Sequence, residues 1–537
     1  MISALVSIVR LAHAGMVLAQ HGVRFVPKGM KAPLVLHVAR ALTFPIQIIS
    51  WPFRIGRPRG NRVSRALSAL GPSYIKLGQF MATRGDLISP ELSEDLRNLQ
   101  DRQPPFSMRE ARRAVEDALG GRLEDHFLSF SPPIAAASIA QVHKAIVLDN
   151  GEERSVAVKI LRPGIERRFQ RDLDSYFFAA RMIEAMHPPS RRLQPVAVVD
   201  NLQRTTELEM DLRLEAAAIS EMADNIRADT QAESSNFRVP EVDWRRTSKR
   251  VMTLEWIDGT PISDIESLRA DGHDLRALGL TVLRSFLRHA MRDGFFHADM
   301  HQGNLLVEPN GTIVAVDFGI MGRLGKIERR FLAEILHGLI TRDYALAAQI
   351  HFDAGYVPAH HPVAVFAQAM RAIGEPIHGR TADEISMADL LGQLFAYTDV
   401  FDMETRPELI LLQKSMVIVE GVARSLDPGI NIWTAAEPVA KDWIEANYGL
   451  TGRLRDAEQG AETVGKLFAD VPRLLGQAER SAEAFAVMAR DGVRLDDETI
   501  KRIALESARH GKTGRWALWI GALALSVAAW AIVSGRI

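Results

Sequence analysis

Through the middle of the chain, short runs of β-branched and aliphatic residues are set among longer stretches of helical periodicity. Val156-Ala157-Val158-Lys159-Ile160, Arg250-Val251-Met252-Thr253-Leu254 and Thr312-Ile313-Val314-Ala315-Val316 each read as a strand bounded by polar or Gly/Pro residues. Residues Glu207 to Glu215 favour a helix. Further on, Val464, Leu467, Phe468, Val471, Leu474 and Leu475 lay an apolar stripe along another helix, interrupted at Pro472. That stripe packs on the body by default, with a membrane surface as the sharper option. No internal repeat or low-complexity tract breaks the pattern, so the expectation is one large α/β body with helical additions.

The two ends differ from this body. Residues 516–534 carry no charge, and at about 1.5 Å per residue they span roughly the thickness of a bilayer's hydrocarbon core. A transmembrane helix is expected there. Trp516, Trp519 and Trp530 suit its interfaces, and Arg502, Lys512 and Arg515 precede it against Arg536 after it, which orients the body toward the cytoplasm. At the other end no acidic residue precedes Asp86, whereas twelve basic ones do, among them Arg10, Lys28, Arg40, Arg54, Arg57, Arg59 and Arg62. Interleaved with apolar runs, this pattern fits anionic phospholipid headgroups better than a nucleic acid; a solvated face over core helices is the bland reading. The first residues lack the basic start and small-residue cleavage site of a secretory signal. A mitochondrial transit peptide would share the basic, acid-poor character.

Composition narrows the chemistry. The 537 residues include no cysteine, which excludes disulfides, thiolate metal sites and cysteine nucleophiles. With 65 Lys plus Arg against 66 Asp plus Glu, only the distribution of charge is informative.

The strongest chemical signal is His297-Ala298-Asp299-Met300-His301-Gln302-Gly303-Asn304, followed by Asp317-Phe318-Gly319 after an apolar strand. In such a loop one carboxylate accepts the proton of an attacking hydroxyl, while an amide five residues later and a second carboxylate hold Mg²⁺ against nucleotide phosphates. The assignments are Asp299 as base, with Asn304 and Asp317 on the metal. Lys159 ends the run Val156-Ala157-Val158-Lys159, a strand that presents a lysine to phosphates, and one acid of Glu209, Asp211 and Glu215 pairs with it. Spacing alone leaves those three open. Where a Gly-rich phosphate loop belongs, the chain has Ala135-Ala136-Ala137-Ser138-Ile139-Ala140-Gln141-Val142-His143, whose alanines disfavour positive φ and should change nucleotide preference. Gly511-Lys512-Thr513 is no Walker A substitute, because Glu506 stands at the upstream glycine position.

Over residues 60 to 330 the chain resembles the UbiB/ADCK family of atypical kinases. The resemblance rests on Lys76-Leu77-Gly78-Gln79 (KxGQ), the alanine-rich loop, Lys159, Glu209-Met210-Asp211 (ExD), Glu215, and the HxDxxxxN and DFG elements. It implies an α/β (α+β) bilobal protein-kinase-like fold with a helical N-terminal KxGQ extension and a C-terminal transmembrane helix. The implied division is 1–60 membrane-associating, 61–125 KxGQ extension, 126–255 N-lobe, 256–445 C-lobe, 446–512 helical and 513–537 anchor. It selects Glu215 as the partner of Lys159, and implies that Lys76, Gly78 and Gln79 cover the nucleotide site beside the regulatory acids Glu209 and Asp211. Met252 becomes the gatekeeper, and the chain at Leu254, Glu255 and Trp256 the hinge that meets adenine. Gln302 departs from the proline common at that place, and no Ala-Pro-Glu element follows the DFG.

The resemblance further implies ATP and Mg²⁺ as cofactors and a role in ubiquinone biosynthesis. The expected partners are a membrane, lipophilic quinone precursors and the enzymes that act on them; a homodimer is compatible. The expected location is the bacterial inner membrane rather than the mitochondrial one. An orthodox protein kinase, a small-molecule phosphotransferase like the aminoglycoside kinases and a non-catalytic scaffold are the competing readings. No flavin fingerprint or iron triad supports a hydroxylase.

Overall fold

A four-stranded antiparallel sheet forms the first half of the site's frame. Its strands are β1 (Ser129–Ala136), β2 (Ala140–Asp149), β3 (Glu152–Leu161) and, after β4 (Phe237–Arg238), β5 (Val251–Glu255), in the order β1-β2-β3-β5. The β2–β3 hairpin turns on Asn150-Gly151, both with positive φ, so that Asp149 faces Glu152. An Asn-Gly pair is the residue choice for a two-residue turn of that hand. The computed structural model describes residues 2–23, 62–82, 92, 95, 96, 99, 103–186, 191, 194–229, 236–378, 397, 400–403, 406–430 and 432–448. Most of the basic segment, the stripe at 464–475 and the uncharged run at 516–534 lie outside them. Among the described residues no helix is long and apolar enough to cross a membrane.

Alternation along β3 sends its side chains to two different cores. Val156, Val158 and Ile160 pack with Ala145, Val147 and Val251 against Ala111 and Val115 of the helix α4 (Met108–Leu119). That helix therefore belongs to the sheet's own core, although a boundary at residue 125 would place it with the extension. Ser107 starts it with a capping box closed by Glu110. The other face of the sheet carries Lys159, and Leu161 and Met252 join the main core with Ile219 and Met222 of α8 (Leu212–Ala228).

The N-terminal helices α1 (Ile2–Gln20), α2 (Arg62–Leu70) and α3 (Pro72–Ala82) form a third core with α6 (Ile165–Met186) and α7 (Pro195–Glu209). Tyr74 and Tyr176 meet edge to face at 5.3 Å, and Arg168 donates to the Leu70 carbonyl at 3.1 Å. Gly78 is buried where a Cβ would stand 2.4 Å from Leu99 Cδ1 and 2.6 Å from Leu67 Cδ1. Only glycine lets α3 lie this close to those leucines.

The second half is mainly helical. A short sheet of order β4-β9-β8-β6 contains β6 (Thr260–Pro261), β8 (Leu305–Val307) and β9 (Ile313–Ala315), and β7 (Phe295–His297) pairs with β10 (Met321–Arg323). Around them stand α10 (Leu275–Arg288), α11 (Lys326–Ile340), α12 (Tyr344–Asp353), α13 (Val363–His378), α14 (Pro407–Leu426) and α15 (Ile432–Tyr448). Phe286 of α10 and Phe296 of β7 are fully buried and meet edge to face at 5.6 Å. Such a ring pair contributes about 0.5–1.5 kcal/mol beyond its burial, and here it fixes the strand that leads into the chemical loop.

Candidate active site

Lys159 sits inside β3 opposite Met252, and its Nζ donates to Glu215 Oε1 at 2.6 Å and Oε2 at 2.9 Å. Glu215 is reached because the helix expected over 207–215 is broken: α7 ends at Glu209, and Asp211 caps a new helix by accepting from Arg213 N. Of the three candidate acids, the one in the first turn of α8 meets the lysine. Burial pushes the Glu215 carboxyl up, and Lys159 opposes that shift.

Asp317 completes a charge cluster, with Oδ1 3.7 Å from Lys159 Nζ and accepting from Gly319 N at 3.1 Å. The nearby Lys159 ammonium holds its pKa down to about 2 against the effect of burial, with smaller help from the Gly319 N–H and Lys76. The carboxylate is therefore ionised at any physiological pH. The β8–β9 hairpin brings Asn304 to the same end: Leu305 faces Ala315, and the Val316 N–H donates to the Asn304 carbonyl at 3.0 Å. Asn304 Nδ2 donates to the Asp299 carbonyl at 3.1 Å.

The loop is shaped by its two histidines. His297 is buried against the Phe318 ring at 4.9 Å, and its Nδ1 accepts the Asp299 N–H at 3.0 Å. Burial lowers its pKa, so the ring is neutral with its proton on Nε2. His301 Nδ1 accepts from Gly303 N, and its Nε2 is 3.8 Å from Asp299 Oδ2. The Asp299 side chain keeps about a third of its surface exposed and can receive a proton from outside the loop.

Lys76 on α3 pairs with Glu209 Oε2 at 2.7 Å. Glu209 ends α7, three residues before α8 begins. Asp211, the alternative partner, is held instead by Arg213 at 2.6 Å. Gln79, half-buried, lies one turn beyond Lys76, whereas Gly78 faces the leucines already described.

The alanine-rich segment is a tight hairpin. Ala135 and Ala136 end β1 opposite Val142 and Gln141, Ala140 starts β2, and Ala137, Ser138 and Ile139 make the turn. No residue of the turn has positive φ. Arg162 locks it: its Nε and Nη2 donate to the Ala137 carbonyl at 3.1 and 2.8 Å, and its backbone N–H donates to the Ile139 carbonyl at 2.8 Å. Gln141 is fully buried, accepting from Phe106 N at 3.0 Å and donating to His143 Nε2 at 2.8 Å. Its side chain thus ties the strand to the segment before α4.

Glu255 ends β5, and its carboxylate is taken by Arg238, at 2.8 and 2.9 Å. Arg238 also holds Glu308, at 2.6 and 3.0 Å, which pins the end of the sheet to the β8–β9 connection. A side-chain contact from Glu255 to adenine would have to break this clamp. Met252 faces Lys159, two residues before Leu254, which faces Ala157. By alternation Met252 and Leu254 share the face that carries Lys159, and both are buried in the main core with α8.

Sequence reasoning missed four supporting residues. Besides Arg162 and Arg238 these are two serines of α14: Ser415, fully buried, shares its one hydroxyl hydrogen between the Leu411 carbonyl at 2.7 Å and the Ala298 carbonyl at 3.0 Å, and Ser425 Oγ accepts from Gln302 Nε2 at 2.7 Å. The glutamine that replaces proline is thus anchored to α14. The two serines act on partners more than a hundred residues away and the two arginines on partners 17 to 70 residues away, which no local pattern reveals.

Known proteins resemble this chain. The ABC1 atypical kinase-like domain matches residues 98–351, and the UbiB helical domain matches residues 370–431, which includes α14. A "Probable protein kinase UbiB" of Marinobacter nauticus is 38% identical over 425 residues, covering 78% of this chain and 76% of that protein. Proteins of the same name from Glaesserella parasuis and Xylella fastidiosa are 38% and 37% identical over 431 and 428 residues, covering 78% of this chain and 77% and 76% of theirs. A solved complex of Rv3197 with erythromycin from Mycobacterium tuberculosis is 25% identical, covers 67% of this chain and 90% of that one, and has a TM-score of 0.47. On the extent of these similarities, the chain belongs to the UbiB family of proteins built on the ABC1 atypical kinase-like domain.

Proposed function

We propose that this chain binds ATP with Mg²⁺ and uses nucleotide turnover to support ubiquinone biosynthesis at a membrane, handling lipophilic quinone precursors or regulating the enzymes that act on them. The observation that carries the reading is the cluster of Lys159, Glu215 and Asp317, with Asn304 brought to the same end by the β8–β9 hairpin. The donor set fits the metal, since an ionised Asp317 and the Asn304 amide oxygen are hard oxygen ligands of the kind Mg²⁺ takes beside phosphates. Mg²⁺ bound with ATP supplies charge neutralisation of the phosphate oxygens.

The chain's own residues divide the remaining work. Lys159, oriented by Glu215, offers its ammonium to the α- and β-phosphates. Asp299 takes the proton of an attacking hydroxyl or water at its carboxylate. His297 holds the backbone of that residue, and Ser415 holds the carbonyl before it. The Arg162-locked turn covers phosphates with a fixed backbone. Lys76 and Glu209 bind α3 to the end of α7, which restrains access. For attachment, the acid-free basic start and the uncharged run at 516–534 support an anionic bacterial inner membrane with the kinase-like body on its cytoplasmic side.

The testing experiment is nucleotide hydrolysis by the purified full chain with anionic liposomes and a phenolic head-group analogue. Mg²⁺-dependent hydrolysis stimulated by both additions is the expected result. Hydrolysis that is absent under all combinations, with nucleotide bound, would replace the reading with that of a scaffold.

A further inference from the structure

Away from the kinase-like site, two segments forty residues apart converge on three donor atoms. Asp402 Oδ2 lies 3.3 Å from His361 Nε2 and 3.6 Å from His360 Nε2, and the three ligand atoms all fall within 4.8 Å of one another. We propose that His360, His361 and Asp402 form a binding site for a divalent transition metal of the zinc class.

The spacing matches the ligand shell. A tetrahedral zinc site with spokes of about 2.1 Å has edges of about 3.4 Å, close to both separations from Asp402. Two imidazoles with one carboxylate favour zinc over the Mg²⁺ proposed at Asp317 and Asn304, where oxygen donors prevail. His360 and Asp402 are exposed, which leaves a fourth position open to water.

The donors are also held in place before any metal arrives. The histidines sit in a turn flanked by Pro358 and Pro362, with the His361 N–H donating to the Pro358 carbonyl at 3.2 Å. Asp402 follows the buried Phe401, whose ring meets His361 at 5.4 Å and Phe366 at 4.9 Å, and Asp402 itself has φ +48°. Aspartate is among the few residues that adopt that backbone readily. The geometry without metal is an ordinary His361–Asp402 hydrogen bond, so the two states are chemically distinct. With metal, the turn before α13 is stapled to the residues that lead into α14, the helix whose Ser415 and Ser425 hold the loop around Asp299.

Calorimetric titration decides it, using Zn²⁺ and the untagged full chain, stripped with chelator and kept in excess Mg²⁺. One Zn²⁺ per chain is expected, with micromolar affinity. His361→Ala should weaken binding by at least roughly tenfold, and so should His360→Ala, whose exposed side chain can be removed without disturbing the fold. Asp317→Asn should leave Zn²⁺ affinity unchanged. Absence of binding by the parent, unchanged affinity in His360→Ala, or loss of affinity in Asp317→Asn would each overturn the site.

Discussion

Lys76 Nζ lies 2.7 Å from Glu209 Oε2, joining the KxGQ helix to the last residue of α7 across 133 positions of sequence. Both side chains are largely shielded from water, so the pair is stronger than a surface ion pair. Removing one partner leaves a poorly solvated charge and costs about 1–3 kcal/mol.

Lys76→Ala therefore carries a compound prediction. The variant should fold, lose about that much stability, autophosphorylate in cis where the parent does not, and fail to sustain quinone production in a deficient strain. Phosphate incorporation measured beside complementation is the check. Parent-like behaviour in both assays would reduce Lys76 to a packing residue.

A second prediction concerns the locked turn. Arg162→Ala removes two hydrogen bonds to the Ala137 carbonyl, and Ala137→Gly adds backbone freedom to the same turn. Both should shift the ATP/ADP affinity ratio in the same direction, with Arg162→Ala also lowering stability by about 1–3 kcal/mol. Nucleotide titrations that return the parent ratio for both variants would remove this turn from the phosphate site.

How far the site was legible depended on how local its logic is. Lys159 ends a β-branched run, and Asp299, Asn304 and Asp317 stand at fixed offsets in one loop and hairpin, so their types and spacing expose them. Glu215 was not separable from Glu209 and Asp211 by spacing, because the helix break at Met210 and the cap at Asp211 depend on tertiary packing; the family resemblance made the choice. The Asn150-Gly151 hairpin was available to a turn reading. Ser415, Ser425 and Arg238 act only through distant partners, and a serine in an apolar helix looks like any other. The gatekeeper assignment to Met252 came from the resemblance alone; in the sheet Met252 shares one face with Lys159 and Leu254.

The serine brace yields a third prediction. Ser415→Ala deletes the hydrogen bond to the Ala298 carbonyl inside a closed core, at a cost of about 1–3 kcal/mol. Turnover should fall on the order of tenfold with nucleotide KM unchanged, since the base is displaced while the phosphate contacts remain. Equal losses in kcat and affinity would point to general unfolding instead.

Acid sensitivity supplies a fourth. His289, buried with its ring against Phe237, has its pKa held down to about 3 by burial, against about 6.5 when unfolded. Below that higher value the unfolded chain binds the extra proton. The neutral native ring thus contributes no penalty above pH 6.5 and a growing one as pH falls toward 3. Between pH 7 and 5.5 the loss is about 1 kcal/mol for this residue. Urea midpoints at the two pH values should therefore separate the parent from His289→Phe by that amount, because His143, His297 and His351 contribute equally to both. Matching pH slopes would show that His289 is protonated in the fold.

Two carboxylates divide the proposed chemistry, Asp317 to hold the metal and Asp299 to take the proton. Mg²⁺-dependent ATP affinity and turnover should therefore be measured side by side in Asp317→Asn and Asp299→Asn. Asp317→Asn should abolish Mg²⁺-dependent binding, whereas Asp299→Asn should bind as the parent does and turn over on the order of a hundredfold more slowly. Parent-like Mg²⁺-ATP affinity in Asp317→Asn, or undiminished turnover in Asp299→Asn, would contradict this division.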